Sequence, residues 1–493
     1  MKNNEKSDRT KWNCSSTFLL SMIGSAVGLG NIWRYPYILY SNGGGSFLFV
    51  YLIAILLVGI PSMLLEYGVG TKYKTCFPKI MKTINPKLEV IGWLVPLTTF
   101  LILVYYACVI GWDGIYFILS FFKGWGANTD YFFSQTLLQS TNSVSGLSYF
   151  AMPALIAVFI IWLMAWFISH RNINNGIGKL NKVGIPLLFI VMGIIILYSL
   201  TLNGASYGLI KLFTPNWNAI WDPIIWIAAI SQIYFSLSLG QAEVVTYASY
   251  LPESSRLTRN AIIITIANCG FELCVAIGIF SILGFMSTTT GIGINDLVTQ
   301  GTGLAFIVFP EILNVMGSAA YILGPLFFIS IFFAGMTSTM SLLEPIVSGI
   351  EEKFDLTRKR IVSYLCIIGF TMTLIFTTGL GNHLLELVDG FLVNVGIVVC
   401  AILGAIIFSW FIGTDELLDI INTHSRIKIG KWWGILMKYV LPIVLIYIVS
   451  NGIIKIFSDM TYVQIVVDIA LIIILITVPI VLTLVSSKNK VKF

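Results

Sequence analysis

Apolar stretches of membrane-crossing length recur along the whole chain, separated by short polar connections. Twelve can be marked, at 14–38, 44–70, 90–122, 149–169, 183–203, 223–250, 258–286, 319–350, 357–379, 383–411, 431–454 and 461–486. A helix of about 20 residues rises about 30 Å, enough to cross a hydrocarbon core. The pattern therefore predicts an all-α polytopic membrane protein with 12 transmembrane helices. Two of these spans break their own pattern. The first contains GSAVGLGNIWRYP (24–36), with three glycines, an asparagine, an arginine and a proline. The sixth contains SQIYFSLSLGQAEVVTYASY (231–250), with clustered serines and a Gly240–Gln241 step at mid-depth. Backbone polar groups freed at such depth cost several kcal/mol each unless something binds them. Each break is therefore either a kink repaired by neighbouring helices or a binding site.

Composition agrees with the span pattern. The 493 residues are 57% hydrophobic and 11% charged, with mean hydropathy +0.90, too little charge to cover a soluble protein of this length. The formal net charge of +6 follows from a topological bias and calls for no nucleic acid. Lys2, Lys6, Arg9 and Lys11 precede the first span, and Lys72, Lys74, Lys79, Lys82 and Lys87 follow the second. Later connections on that side and the tail are basic too, whereas the opposite side carries Lys123, Lys211 and Lys455. By the positive-inside rule both termini are cytoplasmic, and the expected location is the cell inner (plasma) membrane. The leading MKNNEKSDRTK lacks a cleavable signal pattern, so the first span is expected to be retained. The seven cysteines form no CxxC pair and the three histidines are far apart, which leaves no zinc spacing and no His-based nucleophile.

The first and sixth spans open two successive five-helix blocks, and paired interruptions at corresponding positions point to a secondary transporter site. At the residue level, GSAVGLGNIWRYPYILYSNGGGSFLFVYLIAILLVGIP (24–61), the Tyr105–Tyr106 pair, SLSLGQ and TYASY in the sixth span, and AGMTSTMSLLEP (334–345) closely resemble signatures of the neurotransmitter:sodium symporter family. The resemblance covers essentially the whole chain and looks like a prokaryotic, bacterial leucine-transporter-like amino-acid transporter. It implies an inverted five-plus-five repeat with discontinuous helices 1 and 6. Residues 1–11 would be a cytoplasmic segment, 12–203 helices 1–5, 204–411 helices 6–10, 412–486 helices 11–12 and 487–493 a cytoplasmic tail.

Sodium is a hard cation that wants several oxygen ligands. Ala334, Thr337 and Ser338 stand at i, i+3 and i+4 on one helical face. By resemblance, the carbonyls of Gly24, Val27 and Ala334 join the hydroxyls of Thr337 and Ser338 in one sodium site. A second site would take the Ala26 carbonyl, the amide oxygens of Asn31 and Asn268, Ser236 and the substrate carboxylate. Glu272, at i+4 from Asn268, replaces the serine of chloride-binding animal members. With Tyr51, Gln232 and Ser236 around it, it implies chloride-independent transport.

The same resemblance puts the substrate carboxylate on the amides of Leu29 and Gly30 and the hydroxyl of Tyr106. The amino group would meet Ala26, Phe235, Ser236 and Ser238. Gly28 stands where monoamine carriers have an aspartate, so the substrate should bring its own acid and be an amino acid. Its side chain would face Ile102, Phe235, Ser238, Thr339 and Leu342, a set without charge that favours a neutral, apolar side chain. The resemblance also implies two gates: an outer one in which Arg34 would pair with Asp389 above Phe235 and Tyr106, and an inner latch of Arg9, Trp12, Ser249, Tyr250 and Glu352. Gly176 and Pro186 bracket a stretch of the fifth span that could unwind towards the first sodium site, and Glu66 would satisfy amides freed by the first break. The leading expectation is a sodium-coupled symporter of neutral amino acids, not an enzyme, with the lipid bilayer and a small-molecule substrate as its partners and the oligomeric state left open. A proton-coupled carrier or a transporter-like amino-acid sensor is the alternative.

Overall fold

The computed structural model describes residues 11–252, 254–298, 301–354, 356–458 and 461–485. Ten spans are continuous: Gly45–Tyr73, Pro86–Ser120, Met152–Ser169, Ile177–Ser199, Leu257–Thr290, Gly317–Phe354, Arg358–Thr377, Gly381–Thr423, Trp432–Ile454 and Tyr462–Leu484. They are the second to fifth and the seventh to twelfth in chain order. The first span is two helices, Ser15–Ala26 and Gly30–Ser41, bent by 53°. The sixth is Pro223–Ser236 followed, after an unwound stretch, by Glu243–Ser249. Both predicted interruptions are real breaks.

Burial orders the bundle. In the third span 89% of the apolar window is enclosed, against 17% in the twelfth, so the third lies at the centre and the twelfth at the rim. Trp93, Trp112 and Tyr116 of the third span are fully buried, and that span packs along the eighth. The periphery shows Leu52 and Leu56 of the second span, Phe159 and Leu163 of the fourth, and Ile473 and Ile476 of the twelfth to the outside. With lipid as solvent, such exposed aliphatic faces are the stable arrangement.

Some boundaries move. The fifth span starts at Ile177 rather than 183 and is helical through Pro186, so the stretch after Gly176 is wound. The tenth runs past 411 to Gly413, whose φ of +94° turns the chain into the amphipathic helix Thr414–Thr423. That helix buries Leu417, Leu418 and Ile421, and Glu416 meets Lys72 at 2.7 Å. Between the fifth and sixth spans, the segment Ala205–Trp221 folds back by 118° into Pro223–Ser236.

Candidate substrate and ion site

Both breaks face one another in the middle of the bundle. In the first, Ala26 ends one helix, Val27 is extended (φ −79°, ψ 100°), and the chain rewinds through a wide i→i+5 turn over Gly30–Arg34. In the sixth, Ser238, Gly240 and Ala242 all take positive φ, at 54°, 74° and 61°. Two of these are not glycine, a conformation that persists only where the surroundings hold it. Part of that support is Glu66, whose Oε1 accepts from Gly240 N–H at 2.7 Å. The expected role of Glu66 is thereby corrected: it satisfies the sixth break, because the second span presents it there.

A cavity of about 420 Å³ opens between the breaks, within the usual range for small-molecule sites. Its lining includes Ala26, Leu29, Gly30, Ile102, Tyr106, Phe235, Ser236, Ser238 and Leu342. Leu29 N–H donates to the Tyr106 hydroxyl at 3.3 Å, which joins the two groups expected to hold a carboxylate. A Cβ on Gly28 would come within 2.9 Å of Ser338 Oγ and 3.3 Å of the Tyr106 hydroxyl, so a larger residue does not fit there without displacing them. Thr339 does not line the cavity. Its hydroxyl donates to Gly335 O at 3.0 Å within the helix, and the exposed face of the eighth span is centred on Ser338 and Leu342. The expected side-chain set itself carries no charge, but the cavity wall extends beyond it to the carboxylate Glu243 and the neutral amide Gln241.

The two sets expected to hold sodium stand on either side. Ser338 Oγ lies 3.4 Å from Gly24 O and 3.5 Å from Val27 O, and Thr337 Oγ1 donates to Ala334 O at 2.9 Å. Sequence reasoning missed Asn181 of the fifth span. Its Oδ1 is buried without a hydrogen-bond partner and lies where a Cβ on Gly24 would be, 2.1 Å from that point. Its signal was the one side-chain amide between Gly176 and Pro186. In the second set, Asn31 Oδ1 accepts from Gly28 N–H at 3.0 Å and Asn31 Nδ2 donates to Asn268 Oδ1 at 2.7 Å. Asn268 Nδ2 then donates to Ser236 Oγ at 3.0 Å. Both sets are dense in oxygen and buried, which suits a dehydrated hard cation. Next to the second, Glu272 is fully buried, accepting from the Tyr51 hydroxyl and from Gln232 Nε2 at 2.8 Å.

The two ends of the bundle differ. At the cavity mouth Glu386 is exposed and Asp389 half-buried. Arg34 and Asp389 do not pair: Asp389 accepts from the Tyr105 hydroxyl at 2.6 Å, and the Arg34 guanidinium lies 4.6 Å over the Phe235 ring. The expected outer ion pair is thus replaced by two separate contacts, because the open cavity lies between them. At the opposite end the cover is closed. Trp12 N–H and Nε1 donate to Tyr250 O and Tyr247 O, each at 3.0 Å. The Tyr250 hydroxyl donates to Glu344 Oε1 at 2.9 Å, and Arg358 grips Glu344 with two nitrogens at 3.0 and 2.5 Å. Glu352 accepts from the Thr75 hydroxyl and from Cys76 N–H at 3.1 Å. Arg9 lies outside the described residues.

The family model of the sodium:neurotransmitter symporter family matches residues 9–128 and 125–490. Among similar proteins, an uncharacterized sodium-dependent transporter of Methanocaldococcus jannaschii is 37% identical over 90% of both chains. A sodium-dependent nutrient amino acid transporter 1 of Drosophila virilis is 27% identical over 94% of this chain and 80% of its own. The sodium-dependent neutral amino acid transporter B(0)AT2 of Mus musculus is 23% identical over 91% and 73%. With its two broken spans around a central cavity, the chain belongs to the sodium:neurotransmitter symporter family.

Proposed function

We propose that the protein carries an α-amino acid across the plasma membrane by sodium-coupled symport with alternating access, without chloride. The observation that carries the reading is the meeting of Leu29 N–H and the Tyr106 hydroxyl in the cavity wall, with an oxygen-rich set to either side. The substrate carboxylate takes the place between those groups and completes the coordination of a sodium ion held by Ala26, Asn31, Ser236 and Asn268. A second sodium takes the Gly24, Val27, Ala334, Thr337 and Ser338 oxygens. Carboxylate and cation each lose hydration on entering and recover it in one another, so each raises the affinity for the other. The aliphatic part of the side chain lies on Ile102 and Leu342.

Glu272 supplies the fixed negative charge beside the sodium, with Tyr51, Gln232 and Ser236 as its donors, so no anion from solution is required. Both termini face the cytoplasm, as the basic connections favour. The open mouth then faces outward and the Trp12–Tyr250 cover inward, with the two five-helix blocks, 12–203 and 204–411, rocking about the site. The deciding experiment is uptake of labelled amino acids into proteoliposomes under an inward sodium gradient, with sodium chloride or sodium gluconate outside. Sodium-dependent accumulation equal in both salts is the expected result. Accumulation driven by a proton gradient alone would replace this reading with a proton-coupled carrier, and binding without accumulation would replace it with a sensor.

A further inference from the structure

The cavity floor holds a carboxylate that the proposed symport leaves unused. Glu243 begins the short second half of the sixth span, is 1% exposed and contributes to the cavity wall together with Ser25, Ser238 and Gln241. Its Oε2 accepts from the Ser25 hydroxyl, and the Ser238 and Ser341 hydroxyls also face it. Its Oε1 is buried without any hydrogen-bond partner. No ion pair among the described residues includes Glu243. The basic residue of the same cavity, Arg34, stands at the mouth over Phe235 with its Nη1 lacking a hydrogen-bond partner, and it forms no ion pair with Glu243. The other acids around the cavity, Glu386 and Asp389 in its lining and Glu66 bonded to Gly240 N–H, offer it no counter-charge. A carboxylate removed from water and given hydroxyls on one side only is costly, and the cost is relieved by a cation brought to the free oxygen.

We propose, resting on the amino-acid symport reading above, that the side chain of the transported amino acid ends in a cation that pairs with Glu243, so that the substrate class is the basic amino acids: lysine, ornithine or arginine. The α-carboxylate end sits at Leu29 and Tyr106, the methylenes pass Ile102 and Leu342, and the terminal ammonium or guanidinium meets Oε1 of Glu243 with the Gln241 amide beside it. The geometry divides the cavity into an anion-binding end, an aliphatic middle and an acidic end. A neutral aliphatic side chain would fill the middle and leave the acid without a partner.

The test compares lysine with norleucine, which keeps the chain and lacks the ammonium, in wild-type proteoliposomes under a sodium gradient. Glutamine and leucine serve as further neutral substrates. Wild type is expected to favour lysine over norleucine by about tenfold or more, as befits a charge-assisted hydrogen bond in a dry site. Glu243→Gln is expected to bring that ratio down to about one or below. Should Glu243→Gln fail to reach the membrane, Glu243→Asp keeps the charge and is expected to retain the lysine preference. Sodium-driven uptake of norleucine or leucine with lysine excluded overturns the inference while leaving the symport reading intact. So does a lysine preference unchanged in Glu243→Gln. Absence of sodium-driven uptake for every amino acid overturns the symport reading, and this inference with it.

Discussion

The contact between Gly24 and Asn181 offers a quantitative test of where the first sodium ion binds. Replacing Gly24 by alanine adds a Cβ whose position lies 2.1 Å from Asn181 Oδ1 and 3.1 Å from Ile185 Cδ1. Ordinary contact starts at 3.4 Å, so 3.4 less 2.1 leaves about 1.3 Å of overlap to relieve. Both residues sit inside packed helices, and Asn181 is tied by Nδ2 to Ile177 O at 2.9 Å, so part of the displacement passes to the Gly24 backbone. Overpacking of this kind costs about 1–3 kcal/mol. If most of it falls on the carbonyl that faces sodium, the half-saturating sodium concentration rises by about 5- to 150-fold. Sodium-titrated uptake at saturating substrate measures this. Asn181→Ala removes the opposing atom, so the Gly24→Ala/Asn181→Ala pair should recover at least half of the loss, a coupling of about 1 kcal/mol or more. A Gly24→Ala variant with a sodium dependence within twofold of wild type would refute the argument. So would a double variant no better than the single.

Four further outcomes follow from the same geometry. Ser338→Ala removes the hydroxyl facing Gly24 and Val27 and should raise half-saturating sodium about tenfold, with maximal uptake largely recovered at high sodium; an unchanged titration would remove Ser338 from the site. Gly28→Asp drives a side chain into Ser338 and Tyr106 and should abolish amino-acid uptake while surface abundance persists; retained uptake contradicts the fit. Glu272→Ser removes the buried charge and should make uptake dependent on chloride, read as the ratio of rates in chloride and gluconate; a ratio of one would show that the charge has no such role. Arg358→Ala strands Glu344, which is 1% exposed, and should cost about 3–5 kcal/mol. A thermal-unfolding midpoint in detergent within a degree of wild type would exclude that.

Much of the architecture was legible because lipid imposes a simple rule: long apolar runs must be helices, and polar interruptions within them need a reason. The first break stood out because Gly24, Gly28, Asn31, Arg34 and Pro36 sit inside such a run. The shared face of Ala334, Thr337 and Ser338 was legible from spacing on one helix, and the family resemblance supplied its proposed role in holding sodium. What failed was reasoning across non-helical backbone and between distant spans. Thr339 and Leu342 share a helical face at i, i+3, yet the cavity touches Ser338 and Leu342 at i, i+4, a rotation that periodicity alone does not fix. Sequence alone gives no direction for Glu243, because three positive-φ residues precede it and no helical wheel carries a direction across them. Asn181 was hidden because an amide in an apolar helix ordinarily bonds the preceding turn, which its Nδ2 does, and its idle oxygen appears only in three dimensions. The parting of Arg34 from Asp389 depends on the separation of the first and tenth spans, which neither segment encodes.

The extended Val27 between Ser15–Ala26 and Gly30–Ser41 has a mechanical consequence. A continuous helix is stiff because bending it lengthens its ladder of hydrogen bonds. Here the ladder is already interrupted, so the half-spans can pivot about Val27–Leu29 with little further backbone loss. The carbonyls left open at that hinge, those of Gly24, Ala26 and Val27, are the ones proposed to grip sodium. Cargo that bridges them to the eighth span stiffens the joint, and departure of the cargo frees it again. On the proposed mechanism, the freedom of the carrier to change its tilt is set by what it holds, at the same atoms that do the holding.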